Sequence, residues 1–322
     1  MLLFASHLTK LIIPLVSRFK MKTPKLFVLI LSILFIGIHI NVVAAPAVKH
    51  EVIADGHTIV VWEKSVINSK GVILLHHGRT WSSLPDFDLQ VEGEDLSLMQ
   101  GFNLQGYSIW AMDARGYGET ARDASGWNTP SRAAEDISIV LQWLADKTQT
   151  KINLWGWSMG SMLSQMAAQQ YPENIRSLTL FGYPLALGYT FSHDVQKAAP
   201  PKIPTTAKAA ASDFIVPGSI SQNAIDEYVR HALQADPVRA DWHYKHQYNT
   251  LDASKLSMPV LLLQGEFDPL AHTDMHAQIF AKLPNGNKQW VVLKGGDHAA
   301  LLEKTRAKLI YATTNFIEWL SM

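Results

Sequence analysis

Short apolar runs recur along the chain from about residue 48, and longer stretches with helical periodicity separate them. Runs that are apolar at nearly every position are typical of parallel strands buried on both faces, whereas half-exposed strands alternate. We therefore predict an early strand followed by six buried strands. They are Thr58–Trp62, Val72–His76, Ser108–Met112, Ile152–Trp155, Leu178–Phe181, Val260–Leu263 and Trp290–Leu293.

Helices are predicted between these strands. Thr129 is a suitable N-cap and Pro130 suits a first helical position, and the periodic run Ala133–Leu144 follows them. Two further helices are predicted at Ser161–Tyr171 and Ala300–Leu320. This alternation of strand and helix indicates an open α/β sheet with right-handed crossovers.

One stretch, about 184–258, contains no strong strand pattern but includes a polar helical segment at Ser221–Ala235. We predict a helical insertion over the sheet, so that residues 48–322 form a single domain. Its aromatic segment Asp241–Tyr248 would either roof an apolar pocket or pack within the insertion.

The first 47 residues have the features of a targeting region. From Met21 two lysines precede the mainly apolar run Leu26–Ile40, and small residues follow it. We predict that Met21 is the true start and that cleavage exports the rest to the periplasm or the medium. The alternative is a retained membrane anchor at residues 26–47, which is long enough to span a bilayer.

Composition excludes several classes of protein. The 322 residues include no Cys, which rules out disulfides, thiolate metal sites and a Cys nucleophile. The net charge is zero, but residues 1–47 contain five of the 28 basic residues and no acidic one. The remainder therefore has a net charge of −5, which argues against a nucleic-acid partner. Nothing in the sequence indicates the oligomeric state.

A candidate nucleophile lies in Gly156-Trp157-Ser158-Met159-Gly160, which fits the pattern G-x-S-x-G. The motif follows a predicted strand and precedes a predicted helix, as a nucleophile elbow requires. Glycines permit the tight turn, and the helix N-terminus favours a developing oxyanion at Ser158. The alternative is a glycine-rich turn without catalytic function.

A nucleophilic serine needs a general base and a group that orients this base. Asp268 and His298 each follow a predicted strand, so that they and Ser158 lie at the edge of the sheet where active sites form. The order Ser, Asp, His along the chain is that of α/β-hydrolases. Glu266, two residues from Asp268, is an alternative acid if the loop turns differently. Asp297 adjoins His298 and cannot easily reach the far side of its ring, and Asp113 begins a different motif.

Taken together, these residues resemble the α/β-hydrolase superfamily from about residue 58 to the C-terminus. The segment Asp113–Gly118 is similar to the D-x-R-G-x-G loop of that family. The resemblance implies a helical cap at about 184–258 and an oxyanion hole formed by the backbone N–H groups of Met159 and Arg79. A Ser nucleophile argues against the dehalogenase-like and epoxide-hydrolase-like members, which use Asp.

The sequence therefore predicts a serine hydrolase that cleaves a small carboxylic ester through an acyl-enzyme, without a cofactor. Thioesterase, lactonase or amidase activity on the same triad is the alternative, and a non-catalytic binding protein on this scaffold is an alternative of another class. Trp81, Trp157 and Tyr117 flank the catalytic loops and would either bound the substrate pocket or pack in the core. His272 and His276 have metal-ligand spacing but no evident third ligand, so no metal is predicted.

Overall fold

The computed structural model describes residues 45–193 and 199–322, and the predicted targeting region lies outside them except for its last three residues. Ala45–Met322 form one compact unit. Within the described part of the chain, no helix combines the length and apolar character needed to cross a membrane.

Ten strands are present in the described residues. In chain order they are β1 (Val48–Ala54), β2 (His57–Lys64), β3 (Val72–His76), β4 (Ser108–Met112), β5 (Trp127–Asn128), β6 (Ile152–Trp157), β7 (Ile175–Phe181), β8 (Asp241–Trp242), β9 (Val260–Gly265) and β10 (Lys288–Leu293). Eight of them form one sheet in the order β1-β2-β4-β3-β6-β7-β9-β10. The pairs β1–β2 and β2–β4 are antiparallel, and the other five pairs of the sheet are parallel. The order places β3, β6, β7, β9 and β10 side by side, with their carboxyl ends at one edge.

Four central strands, β3, β4, β6 and β9, are buried at every residue. Successive side chains of a strand enter opposite faces, and on β9 Leu262 belongs to one apolar cluster while Leu261 and Leu263 belong to another. The two clusters cover the two faces of the sheet. The prediction of a mostly parallel sheet flanked by helices is thus confirmed.

The α-helices are α1 (Ser83–Phe87), α2 (Leu98–Leu104), α3 (Pro130–Thr148), α4 (Met159–Gln170), α5 (Ala207–Ala211), α6 (Gln222–Ala235), α7 (Thr273–Lys282) and α8 (Arg306–Trp319). Thr129 caps α3 as predicted, because its hydroxyl accepts a hydrogen bond from the Arg132 N–H at 3.4 Å. The start predicted for the last helix was wrong. Residues 300–305 form successive turns in which Ala300, Leu301 and Leu302 are all buried. Their apolar character continues the helical pattern of the sequence, although these residues are not helical.

Strand β1 was missed, because its outer half is largely exposed and shows no continuous apolar run. It is held by its antiparallel register with β2, which pairs seven residues from Val48 with Glu63 to Ala54 with His57. Pairing of this kind depends on the neighbouring strand and is weakly encoded in the residues themselves.

The segment 184–258 contains α5, α6 and β8 and follows β7, where the helical insertion was predicted. Strand β8 pairs with β5, which precedes α3 in the main body. The Tyr228 hydroxyl on α6 donates a hydrogen bond of 2.9 Å to the Asp86 carboxyl group on α1, and both residues are fully buried. These contacts fix the insertion over the carboxyl edge of the sheet.

Candidate active site

Ser158 occupies a sharp turn between β6 and α4, with φ of 55° and ψ of −124°. A residue with a side chain adopts positive φ only where its surroundings impose it, and such strain clusters at functional sites. The Ser158 N–H donates to the Phe181 carbonyl at 2.9 Å, and the Ser158 carbonyl accepts from the Ser161 N–H at 2.9 Å. Backbone bonds to a neighbouring strand and to the helix therefore hold the serine in this conformation.

The two glycines of the motif are required by close packing. A Cβ atom on Gly156 would lie 2.4 Å from the Gly160 carbonyl oxygen. A Cβ atom on Gly160 would lie 2.3 Å from the His77 carbonyl oxygen and 2.5 Å from that of His76. Helix α4 thus starts directly against the loop that follows β3.

The three residues predicted as a triad meet at this edge of the sheet. The Ser158 Oγ lies 2.8 Å from the His298 Nε2, and the His298 Nδ1 lies 2.8 Å from the Asp268 Oδ2. The other Asp268 oxygen accepts the backbone N–H groups of Leu270 and Ala271 at 2.9 and 3.2 Å. Since Asp268 and His298 are buried and Ser158 is half-buried, the arrangement can move a proton from the hydroxyl to the imidazole.

The three other carboxylates form different contacts. Glu266 accepts the backbone N–H of Gly295 at 2.8 Å. Asp297 accepts three backbone N–H groups, and Asp113 accepts an indole N–H from β2 at 2.9 Å together with two backbone N–H groups. Each of these three carboxylates accepts hydrogen bonds that stabilise a loop. Among the four candidate acids, Asp268 is the one hydrogen-bonded to the His298 ring.

The backbone N–H groups predicted for the oxyanion hole belong to residues beside Ser158. Met159 is the first residue of α4, so its N–H has no acceptor within the helix. Gly78 lies next to the serine: a Cβ atom placed on Gly78 would be 3.5 Å from the Ser158 Cβ. Arg79 follows Gly78, and its carbonyl accepts the Tyr117 hydroxyl, which orients this peptide segment.

Two buried histidines fix the same loop. The His77 Nδ1 bonds the Gly78 carbonyl at 2.8 Å, and the Nε2 accepts the Ala114 N–H at 3.0 Å, which requires the neutral ring protonated on Nδ1. Burial lowers the pKa of His77 to about 3 and that of His76 to about 4. Neutral His77 therefore links the loop after β3 to the loop after β4.

A cavity of about 640 Å³ opens onto Ser158 and His298, and Trp81 and Trp157 line it. Tyr117 is not among its lining residues, so of the two positions considered for Tyr117, the pocket wall and the core, the structure shows the core. Tyr117 is buried behind the wall, where its hydroxyl accepts the Trp242 indole N–H at 2.8 Å. Trp157 has a second contact, since its indole N–H donates to the His298 carbonyl at 2.8 Å.

His272, which precedes α7, and His276 on α7 do not form a metal centre in the structure. His276 is fully buried near the Trp290 ring, while His272 lines the catalytic cavity. Across residues 45–193 and 199–322, no group of three or more His, Asp or Glu side chains is arranged to hold a metal ion.

Sequence reasoning missed Gly182, which directly follows β7. Its φ is +57°, and a Cβ atom on it would lie 3.2 Å from the Asp268 Oδ2 and 3.1 Å from the His298 Cε1. A glycine at a predicted strand end was the available signal. It allows the backbone to pass close to the acid–imidazole pair.

Asp213, from the insertion, is a second residue that sequence reasoning missed. It lines the catalytic cavity, and one of its carboxylate oxygens accepts the Trp81 indole N–H at 3.0 Å. Burial raises the pKa of Asp213 to about 6, although His298 and the Trp81 bond oppose the rise.

The pH dependence of unfolding should therefore change in Asp213→Asn. Between pH 4 and 6 the folded protein retains a proton on Asp213 that the unfolded chain has lost, so the unfolding free energy falls as pH rises. By pH 7 the unfolding free energy of the wild type should have fallen by about 1–2 kcal/mol more than that of Asp213→Asn. Urea unfolding at several pH values measures this difference in unfolding free energy. The control is Asp226→Asn, which replaces an exposed carboxylate. Parallel curves for wild type and Asp213→Asn would contradict the raised pKa.

Comparisons with known proteins agree on the fold. The family model described as alpha/beta hydrolase fold matches residues 71–305. No curated protein matches the chain. Among solved structures, the chain is similar to a thioesterase domain from the curacin biosynthetic pathway, with 19% identity and a TM-score of 0.61 over 83% of this chain and 100% of that one.

Two other similar structures are a lipase and an esterase. A monoacylglycerol lipase from Paleococcus ferrophilus has 18% identity and a TM-score of 0.55 over 81% of this chain and 98% of its own. A thermophilic esterase from Thermogutta terrifontis has 18% identity and a TM-score of 0.57 over 86% and 100%. At these identities the likeness establishes the fold, and the family match covers well over half of the chain. This protein belongs to the α/β hydrolase fold family.

Proposed function

We propose that this protein is a serine hydrolase that cleaves carboxylic esters through an acyl-enzyme intermediate. The observation that carries the proposal is the continuous chain of two 2.8 Å contacts from the Ser158 Oγ through the His298 ring to Asp268. A non-catalytic binding protein would not need these three side chains in line.

In the proposed mechanism, the Ser158 oxygen attacks the ester carbonyl carbon and His298 accepts the hydroxyl proton at Nε2. Asp268 orients the ring and stabilises the imidazolium that forms. The backbone N–H groups of Met159 and Arg79 bind the oxyanion of the tetrahedral intermediate. His298 then gives its proton to the leaving alcohol, and a water molecule, activated by the same base, hydrolyses the acyl-enzyme and frees Ser158.

The cavity supports a small-molecule substrate. Its volume of about 640 Å³ lies within the range usual for ligand sites. Apolar side chains from two parts of the chain line it, among them Met162 on α4 and Leu185 and Phe191 at the start of the insertion. An acyl group of moderate size would lie against these side chains while its carbonyl carbon faces Ser158.

The test is reaction of the purified protein with a fluorophosphonate, which labels an activated serine without knowledge of the substrate. Labelling is expected in the wild type and not in Ser158→Ala. A panel of matched ester, thioester, lactone and amide substrates then distinguishes esterase from the other activities of such a triad. Equal labelling of wild type and Ser158→Ala, or folded wild type that is never labelled, would contradict the proposal.

A further inference from the structure

Two arginines at the catalytic cavity lack the protein partners that other arginines have. Five of the eight arginines in the described residues form ion pairs with carboxylates, namely Arg115, Arg122, Arg132, Arg230 and Arg306. Arg176 donates to the Ser321 hydroxyl. The side chains of Arg79 and Arg239 have neither an ion pair nor a hydrogen bond within residues 45–193 and 199–322.

Both arginines lie where a substrate would pass. Arg79 and Arg239 line the catalytic cavity, and both also line an adjoining cavity of about 310 Å³. Lys245 and Trp242 line the same two cavities. The two arginine residues therefore belong to the wall common to the two cavities.

Hydrogen bonds hold the backbone at both positions, whereas the two side chains form none within the described residues. The Arg79 carbonyl accepts the Tyr117 hydroxyl, and that hydroxyl accepts the Trp242 indole N–H. The Arg239 N–H donates to the Ile203 carbonyl at 2.9 Å, and the Arg239 carbonyl accepts the Arg122 guanidinium. Such anchoring holds the base of each side chain at the cavity and leaves its five N–H donors for a ligand.

The acidic residues of the cavity have partners of their own. Asp213 accepts the Trp81 indole N–H, and Asp86 accepts the Tyr228 hydroxyl. Burial raises the pKa of Asp86 well above its ordinary value. Neither carboxyl group pairs with Arg79 or Arg239. Asp241, which lines the adjoining cavity, pairs with Arg122 at 2.8 Å, so neither Arg79 nor Arg239 has a carboxylate partner in the described residues.

We propose that Arg79 and Arg239 bind an anionic group of the substrate, a carboxylate or a phosphate, while the scissile carbonyl lies at Ser158. Guanidinium groups match both oxyanions through paired N–H donors. Arg79 follows Gly78, whose backbone contacts Ser158. An anion bound by the Arg79 guanidinium would therefore lie about one arginine side-chain length from the carbonyl carbon that Ser158 attacks. The inference rests on the proposed function and narrows its substrates to esters with a nearby negative charge.

The test compares two esters of equal length, 4-nitrophenyl pentanoate and mono-4-nitrophenyl glutarate, which differ in a terminal methyl or carboxylate. The ratio of kcat/KM for the charged ester to that for the neutral ester is expected to fall about tenfold or more in Arg239→Gln. The control Arg230→Gln removes an exposed arginine paired with Glu227 and should leave the ratio unchanged. A ratio that is the same in wild type and Arg239→Gln would overturn the proposal.

Competition distinguishes the two oxyanions. Glutarate and inorganic phosphate are each added as inhibitors of pentanoate hydrolysis, and the true ligand class should inhibit the wild type more strongly than Arg239→Gln. If the wild type hydrolyses no ester, the proposed function fails, and anion binding is then measured separately by calorimetry. In that measurement Ser158→Ala should bind glutarate or phosphate more tightly than Ser158→Ala/Arg239→Gln, and equal or absent binding overturns the anion site.

Discussion

Ser158→Ala is expected to lower kcat for ester hydrolysis by about 10³-fold or more, because triad deletions leave the turnover supplied by substrate binding and the oxyanion hole. The cause lies in the 2.8 Å contact between the Ser158 Oγ and the His298 Nε2, which no other side chain can replace at this turn. Steady-state kinetics on a 4-nitrophenyl ester, with the folded state verified by circular dichroism, measures the loss.

The chain offers a matched control on the same helix. Ser164 is fully buried on α4, six residues after Ser158, and its hydroxyl has no hydrogen-bond partner in the described residues. Ser164→Ala should therefore retain kcat within about threefold, since it removes a hydroxyl of the same kind away from the reacting groups. The double variant Ser158→Ala/His298→Ala should be no slower than Ser158→Ala, because the two residues act as a unit. Turnover near the wild-type value in Ser158→Ala would refute the assignment of the nucleophile.

Gly160→Ala is expected to lower the free energy of unfolding by about 3 kcal/mol or more. The added methyl group would lie 2.3 Å from the His77 carbonyl oxygen and 2.5 Å from that of His76. Both oxygens belong to backbone at the end of β3, where the buried His77 ring also ties the loop to Ala114. Because backbone atoms cannot move aside as a flexible side chain can, either α4 or the loop carrying Arg79 must shift.

Thermal unfolding measures this effect, and a fall of Tm of about 6 °C or more is expected. Gly286→Ala is the matched control, since nothing lies within 4 Å of a Cβ atom at that position. Fluorophosphonate labelling of Gly160→Ala under folding conditions should also be slower, because the shift displaces the oxyanion donors. A Tm equal to that of wild type would show that the approach of α4 to the loop is looser than these distances indicate.

The amino-acid sequence by itself determined the buried strands and the order of the chemical groups. Nearly continuous apolar runs predicted β3, β4, β6 and β9, because a strand buried on both faces has few polar positions. Parallel strands bring their carboxyl ends to one edge, so three polar residues that follow strands could be predicted to meet. Ser158, Asp268 and His298 do meet there, although their catalytic roles remain a proposal.

Tertiary structure alone decided what depends on contacts between distant segments. The irregular turns at 300–305, the position of Tyr117 behind the cavity wall and the approach of Asp213 to the site follow from packing of the insertion, whose local pattern is weak. The same holds for Arg79 and Arg239, which are 160 residues apart. No periodicity along the chain shows that these two arginines line one cavity without a carboxylate partner, because ion pairing depends on distances in the folded structure.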